Sequence, residues 1–562
     1  MRRFHLAGAA AVLGVLLLPL VGNDYLLHVG TISWYYGILA ASWVLLAGYA
    51  GQFSFAHMAL AALGGYTSAL LLHFLQPPLP LALLSGVVTP ALVGGLIGWL
   101  CLRMSGPYLA LFTVAFSEIF RILLVAEYRF TRGSLGLHVP PLFPGASKRV
   151  YFYAGFGLLL ASLALMQRVL RSRIGLFLRA LREDERAAAA CGVNTVRYKI
   201  LAFVLASGFA GLAGVFYGHY VGILTPNIAA IPQMGLLIAM AVIGGVESLY
   251  GAVVGAVFVE VLSEGLREYG QWRLVLFGLI LLLTQRFTRN GLVAPLLARL
   301  RRPAARRTPR EAKQVPVVVL GEPRLPAAAR PEVPLLEAEG LVKRFGGVVA
   351  VNHLSLTLSR GELVGLIGPN GSGKTTFINL VSGALAPDRG QIRLAGTLMQ
   401  QRPPYEFARR GVARTFQITR PFRRLTVLEN LLVPALTRPE GPAARRRARK
   451  GKRFSSSLAS CPWRRKRRAT SPGASRSSWS WDAPSCWTRC SCCWTNPLPA
   501  SIPACAISSL SACWPCTSEG TPCSWSITTW RPSRKWRGVW WSWRGGRKLP
   551  MARPKWSCRI RP

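Results

Sequence analysis

Nine consecutive residues carry the sharpest chemical signal in the chain: Gly368-Pro369-Asn370-Gly371-Ser372-Gly373-Lys374-Thr375-Thr376. The spacing is G-x-x-x-x-G-K-[ST]. Glycines let backbone N–H groups converge on phosphate oxygens, and the N-terminus of a following helix adds partial positive charge. In such a loop Lys374 reaches the β- and γ-phosphates, and the Thr375 hydroxyl can ligate Mg²⁺. The chemistry needs a strand to deliver the loop and a helix to receive it. Glu362-Leu363-Val364-Gly365-Leu366-Ile367 reads as a buried strand immediately before, and 377–382 reads as the helix after. Upstream, 335–341 and 348–358 read as two further strands joined by a turn. A nucleoside triphosphate with Mg²⁺ is the ligand this arrangement implies.

The rest of the chain is of a different kind. It has 562 residues, 51% of them hydrophobic and only 16% charged, with a formal net charge of +46. The length allows about three to five domains. The composition excludes an overall disordered chain and a small disulfide scaffold. Apolar runs lie at 6–22, 31–50, 53–75, 81–102, 107–126, 151–169, 200–223, 232–262 and 272–285. All but the last approach the ~20 apolar residues that cross the hydrocarbon core as a helix. The first run has no small-x-small site after Leu20 and reads as an uncleaved span.

Arg2 and Arg3, the Arg-rich stretch 171–199, and Arg286 to Arg302 place both ends of this region inside by the positive-inside rule. Two ends on one side require an even number of crossings, whereas nine runs are present. The run 232–262, interrupted at Gly244-Gly245 and by Glu247, is the one that could be two segments. The loop 127–150, with Arg129, Arg132, Lys148 and Arg149, fits poorly outside. Segment 174–185 alternates apolar and charged residues at helical spacing. It reads as a cytoplasmic amphipathic helix that docks into another protein, the alternative being one lying on the lipid surface. Within the spans, Glu118 and Arg121 are three apart and read as an ion pair on one helical face, structural rather than functional.

Several stretches, in order, resemble the permease subunits of branched-chain amino-acid ABC importers. They are Gly51-Gln52-Phe53-Ser54-Phe55-Ala56-His57, Gly106-Pro107-Tyr108-Leu109-Ala110-Leu111 through Glu118-Ile119, and Thr131-Arg132-Gly133-Ser134-Leu135-Gly136-Leu137. Segment 179–192, Arg197-Tyr198-Lys199 and Gly208-Phe209-Ala210-Gly211-Leu212-Ala213-Gly214 look like that family's coupling loop and following span. This similarity covers about 30–290, and another, to the ATP-binding subunit of the same importers, covers about 335–448. The second resemblance implies that Phe345 stacks on adenine and that Gln417, in Arg414-Thr415-Phe416-Gln417, contacts Mg²⁺ and water.

An ATPase of that family also needs a signature loop, a strand ending in Asp-Glu and a switch His, and none appears. All seven His lie at or before His353. Residues 441–562 hold 25 Lys and Arg against two acids, and ten of the 12 Cys and 13 of the 17 Trp lie beyond residue 460. From 455 onward only nine residues are Leu, Ile, Val or Phe, too few to build a core. The Cys spacing fits no zinc ribbon, and basic charge alone is a weak argument for nucleic acid. A shifted reading frame explains the tail. Regrouping GC-rich codons for 492–497 yields Leu-Leu-Asp-Glu-Pro. The same frame permits Leu-Ser-Gly-Gly-Gln-Gln-Lys-Leu from 471–478 and yields Leu-Val-Asp-His-Asp-Met from 525–530. The break falls near 449–452.

The expected architecture is a multi-pass α-helical membrane domain (1–302) and a Pro-rich linker (303–334) with seven prolines. An incomplete P-loop α/β ABC ATPase domain (335–450) and a frameshifted, disordered tail (451–562) follow. The resemblance implies an ATP-driven importer of branched-chain amino acids or related small polar substrates in the cytoplasmic membrane, with the ATPase domain in the cytoplasm. Its partners would be a second permease subunit, a second ABC ATPase subunit, an extracytoplasmic substrate-binding protein and membrane lipid, with no nucleic acid. The alternatives are a hydrolysis-deficient nucleotide-binding membrane protein and a permease served by separate ATPases.

Overall fold

The computed structural model describes residues 14–19, 23–104, 106–267, 270, scattered positions from 272 to 286, 334–437, and short stretches at 537–539, 543–544 and 547–548. The chain divides into two compact units. One comprises Met1–Glu185 with Asn194–Val315, the other Arg186–Val193 with Pro316–Pro562. Among the expected elements, most of the first and last apolar runs, the linker 303–334 except its last residue, and nearly all of 451–562 lie outside the described residues.

The helices, in chain order, are α1 (Asp24–Trp43), α2 (His57–Phe74), α3 (Leu79–Leu100), α4 (Pro107–Ala126), α5 (Lys148–Arg171), α6 (Arg173–Glu183), α7 (Glu185–Ala190), α8 (Thr195–Val221), α9 (Ile231–Gly244) and α10 (Leu249–Gly265). All but α7 belong to the first unit. α1 runs on through a π-helical segment, Val44–Tyr49. With that extension α1 is long and apolar enough to cross a bilayer, as are α3, α4, α5 and α8. Apolar side chains surround most of these helices, so only intrahelical bonding satisfies their backbone in lipid.

The long run 232–262 is a helical hairpin. α9 ends at Gly245, which takes a positive φ of 110°, and the Ser248 side chain caps α10. The glycines that interrupt the run allow the close return: a Cβ on Gly244 would strike the Gly251 carbonyl, and one on Gly255 the Met240 carbonyl. Small residues also bring α2, α3 and α8 together. A Cβ on Gly64 would lie 2.6 Å from both the Gly211 Cα and the Gly86 oxygen.

At one end of the bundle, β1 (Leu137–His138) pairs antiparallel with β2 (Ile223–Leu224), tying the loop after α4 to the end of α8. His219 reinforces the tie. Its Nδ1 donates to the Pro140 carbonyl at 2.7 Å, which leaves Nε2 to accept from the Ser68 hydroxyl at 2.9 Å. At the other end, Gly51 turns the chain with φ 72°, and a Cβ there would sit 3.1 Å from the Arg182 Cα. α6 lies at this end and buries Leu176, Phe177, Leu178 and Leu181 within its own unit. The expectation of a docking helix over 174–185 is therefore divided. The helical face packs on the membrane unit, and only 186–193 belongs with the second unit. The break falls at Asp184, whose backbone is extended.

In the second unit β3 (Leu336–Phe345) and β4 (Val348–Leu358) form a hairpin about Gly346-Gly347, and Gly346 takes φ 56°. β3 thus runs four residues beyond the sequence expectation, to the turn itself. β5 (Val364–Leu366) leads to the phosphate loop and α11 (Lys374–Val381). β6 (Arg389–Leu394) and β7 (Thr397–Leu398) complete an antiparallel sheet in the order β4-β3-β6-β7. α12 (Pro404–Arg409) and α13 (Val427–Thr437) follow. The core gathers Leu336, Leu341, Val351, Phe377, Leu380 and Phe407. Within the tail, β8 (Arg537–Val539) pairs in parallel with β5, and Trp543–Arg544 pairs antiparallel with Arg547–Lys548.

Candidate functional site

β5 delivers Gly368 to Gly373 into the first turn of α11, as the strand–loop–helix spacing demands. Gly371 and Gly373 both take φ 84°, the left-handed region that suits glycine. At Gly373 space also forbids a side chain, because a Cβ would collide with the Ala350 carbonyl of β4. Lys374 folds over the loop it follows. Its Nζ donates to the Gly368 and Pro369 carbonyls, each at 2.7 Å, and lies 3.4 Å from Ser372 Oγ. Pro369 accepts from the Ser372 amide at 3.2 Å, which keeps the loop tight. A pocket bounded by Ala350, Val351, Ile367, Ser372, Gly373 and Lys374 opens beside it. This is a concave cradle with one ammonium and the start of a helix at its rim, suited to a polyphosphate.

The other candidate residues surround it less closely. Asn370 and Thr375 are exposed, and Thr376 is half-buried in the first turn of α11. Phe345 lies at the end of β3, 48% exposed, paired with Val348 of the strand that supplies Ala350 and Val351 to the pocket. Lys343 lies over its ring at 5.8 Å. Gln417 is exposed in the loop between α12 and α13. Thr375 and Gln417 offer oxygen donors of the hard type that Mg²⁺ takes.

Sequence reasoning missed the groups that hold these elements. Asp388 accepts from Lys343 Nζ and from the Arg344 amide, both at 2.7 Å, fixing the end of β3 next to Phe345. Those two bonds, Lys343 first, hold the Asp388 carboxyl below its usual range. Arg414 donates to Ser382 Oγ at 3.1 Å, at the end of α11, and its guanidinium lies over the Phe416 ring. Burial first, and then Arg420, lower the pKa of Arg414. Thr426 and Glu429 form a capping box on α13, through bonds of 2.9 and 3.2 Å. That signal was present as T-x-x-E before an apolar run. Asn430 then bonds both the amide and the carbonyl of Phe422 at 3.0 Å, anchoring the loop that leads from Gln417.

α12 and α13 hold the short stretch between α7 and α8. Arg409 Nε donates to the Gly192 carbonyl at 3.1 Å, and the Thr437 hydroxyl donates to the Cys191 carbonyl at 2.7 Å. Gly192 has φ 90°, and a Cβ on it would come within 2.8 Å of Thr437 Oγ1. Burial pushes the Cys191 thiol up to about 11. No local pattern announces these contacts, because the partners are more than 200 residues apart.

Comparison with known proteins agrees with both halves. The family "Branched-chain amino acid transport system / permease component" matches residues 25–285, and "ABC transporter" matches 351–477. The high-affinity branched-chain amino acid transport system permease protein LivM of Salmonella typhimurium is 30% identical over 297 residues, 47% of this chain and 69% of that protein. The ATP-binding protein LivG of the same organism is 52% identical over 100 residues, 18% of this chain and 39% of LivG. The chain therefore spans about two fifths of that ATP-binding relative. A solved ATP-binding cassette of an ABC transporter aligns at 31% identity over 24% of this chain and 58% of its own, with a TM-score of 0.20. Five helices long and apolar enough to cross a bilayer among the described residues, together with the match to LivM, lead to one conclusion: the chain belongs to the branched-chain amino acid ABC transport permease family, and its residues 351–477 match the ABC transporter family.

Proposed function

We propose that this chain is the fused permease and ATP-binding part of an importer that moves branched-chain amino acids, or related small polar substrates, across the cytoplasmic membrane. The observation that carries the reading is the grip of Arg409 and Thr437 on the carbonyls of 191–192. That stretch continues directly into α8, so a rearrangement of α12 and α13 pulls on the membrane helices through covalent chain. In this reading Lys374 exchanges its loop carbonyls for β- and γ-phosphate oxygens. The loop amides orient the phosphates, and Phe345 stacks on the base. Thr375 and Gln417 would hold Mg²⁺, which when bound neutralises phosphate charge. A second ATPase subunit covers the nucleotide, a second permease subunit completes the membrane path, and an extracytoplasmic binding protein delivers the substrate.

A second reading, that this chain binds nucleotide without hydrolysing it, is favoured by a specific observation. The sequence overlaps only 39% of LivG and has no signature loop, Asp-Glu strand end or switch His of its own. The test is ATP hydrolysis and import of a labelled branched-chain amino acid in proteoliposomes. It compares the full chain with one whose reading frame is restored near codon 450, each with the second permease, second ATPase and binding protein. The chain as written binds ATP weakly and hydrolyses essentially none, and the restored chain hydrolyses and transports. Equal rates from the two would refute the frame account, and no transport from the restored chain would refute the importer reading.

A further inference from the structure

Among the helices able to cross a bilayer, α4 is the least covered, with 22% of its apolar window buried against 67% for α8 and 83% for α1. Leu109, Thr113, Ser117 and Leu124 form its buried stripe. The opposite side exposes Leu111, Ile119, Ile122 and Leu123. Glu118 falls on that outward side of the helical wheel, between Leu111 and Ile122, with Arg121 beside it. Their side chains are 35% and 30% exposed. At 1.5 Å per residue the pair stands roughly 17 Å from the first residue of α4 and roughly 12 Å from the last, near mid-membrane. Arg121 Nε donates to both Glu118 oxygens, at 3.0 and 3.1 Å, and one terminal nitrogen donates to Oε1. That uses two of the five guanidinium hydrogens. The other three have no bonded acceptor among the described residues.

Lipid tails offer no acceptor, and ionised groups at mid-bilayer face protein or water rather than hydrocarbon. We infer that the Glu118–Arg121 face of α4 is where the second permease subunit docks, with polar groups at the same depth completing the Arg121 shell and apolar ones covering Leu111, Ile119 and Ile122. The occupant must itself be embedded in the membrane, because apolar side chains lie both above and below the pair. By contrast, the exposed stripe Leu84, Val88, Leu92 and Leu96 of α3 carries no charge and suits lipid. This inference rests on the importer reading and assigns its membrane partner a surface.

The test places a photocrosslinking amino acid at Ile122 or at Leu92 of the full chain, co-expressed with a tagged second permease. Expected is a crosslink to the second permease from position 122 and none from 92, together with an at least tenfold lower co-purification yield for Glu118→Leu/Arg121→Leu. The crosslink is measured in the otherwise unchanged chain, so it does not depend on how that double variant folds. Co-purification with crosslinks only to lipid, or only to a second copy of this chain, from position 122 would overturn the surface while leaving the importer reading intact. Failure of the second permease to co-purify at all would overturn both.

Discussion

Lys374→Ala isolates the contribution of the phosphate loop. The ammonium bonds the Gly368 and Pro369 carbonyls at 2.7 Å, on a loop largely open to solvent. Water can replace those two bonds, so their loss costs the domain little stability. A bound phosphate has no such substitute for the ammonium, since the loop then offers backbone amides alone. A hydrogen bond to a charged group contributes about 1.5–3 kcal/mol, which corresponds to a Kd roughly 10- to 150-fold weaker. The assay is titration of the detergent-solubilised full chain with a fluorescent ATP analogue, alongside a thermal melt. Lys374→Met retains the aliphatic stem and should weaken binding equally, which separates charge from packing. The melting transition of the membrane helices should not move, since Lys374 belongs to the other unit. A Kd within twofold of the parent would refute the assignment of the ammonium to phosphate.

Three further outcomes are expected. Gly373→Ala forces a left-handed residue to carry a Cβ against the Ala350 carbonyl, so the ATP-binding unit should lose about 1–2 kcal/mol or more in denaturant melts, and nucleotide binding should fall with it. In a background where every other Cys is Ser, alkylation of Cys191 at pH 8 should run on the order of a hundred-fold slower than that of an ordinary thiol, because burial holds its pKa near 11 and keeps it protonated. Thr437→Val should speed that reaction by loosening the bond to the Cys191 carbonyl. Asp388 has a lowered pKa in the folded chain, so its contribution is present above the usual carboxylate range and is lost as pH falls through the folded value. Asp388→Asn should therefore lower stability at neutral pH, with the difference from the parent vanishing in acid, as read by unfolding midpoints at several pH values.

The phosphate loop was legible in the chain alone because its requirements are local. A strand, four residues of slack, a glycine free to take positive φ and a lysine at a helix start are all fixed by neighbours within ten residues. The apolar runs were legible for a similar reason, since a backbone in lipid has no bonding partner except its own segment. The interruption of 232–262 at Gly244-Gly245 and Glu247 was legible too, but not how closely the chain returns; only the fold brings Gly244 against the Gly251 carbonyl. The amphipathic segment 174–185 was legible as a helix, but not where its apolar face goes, because periodicity records a face and not its neighbour. Folding packed α6 on the membrane unit and left 191–192 to Arg409 and Thr437. Residues 182, 388 and 437 read as ordinary surface positions in sequence. Their work, against Gly51, Lys343 and Cys191, depends on contacts that only the tertiary fold creates, between segments 45 to 246 residues apart.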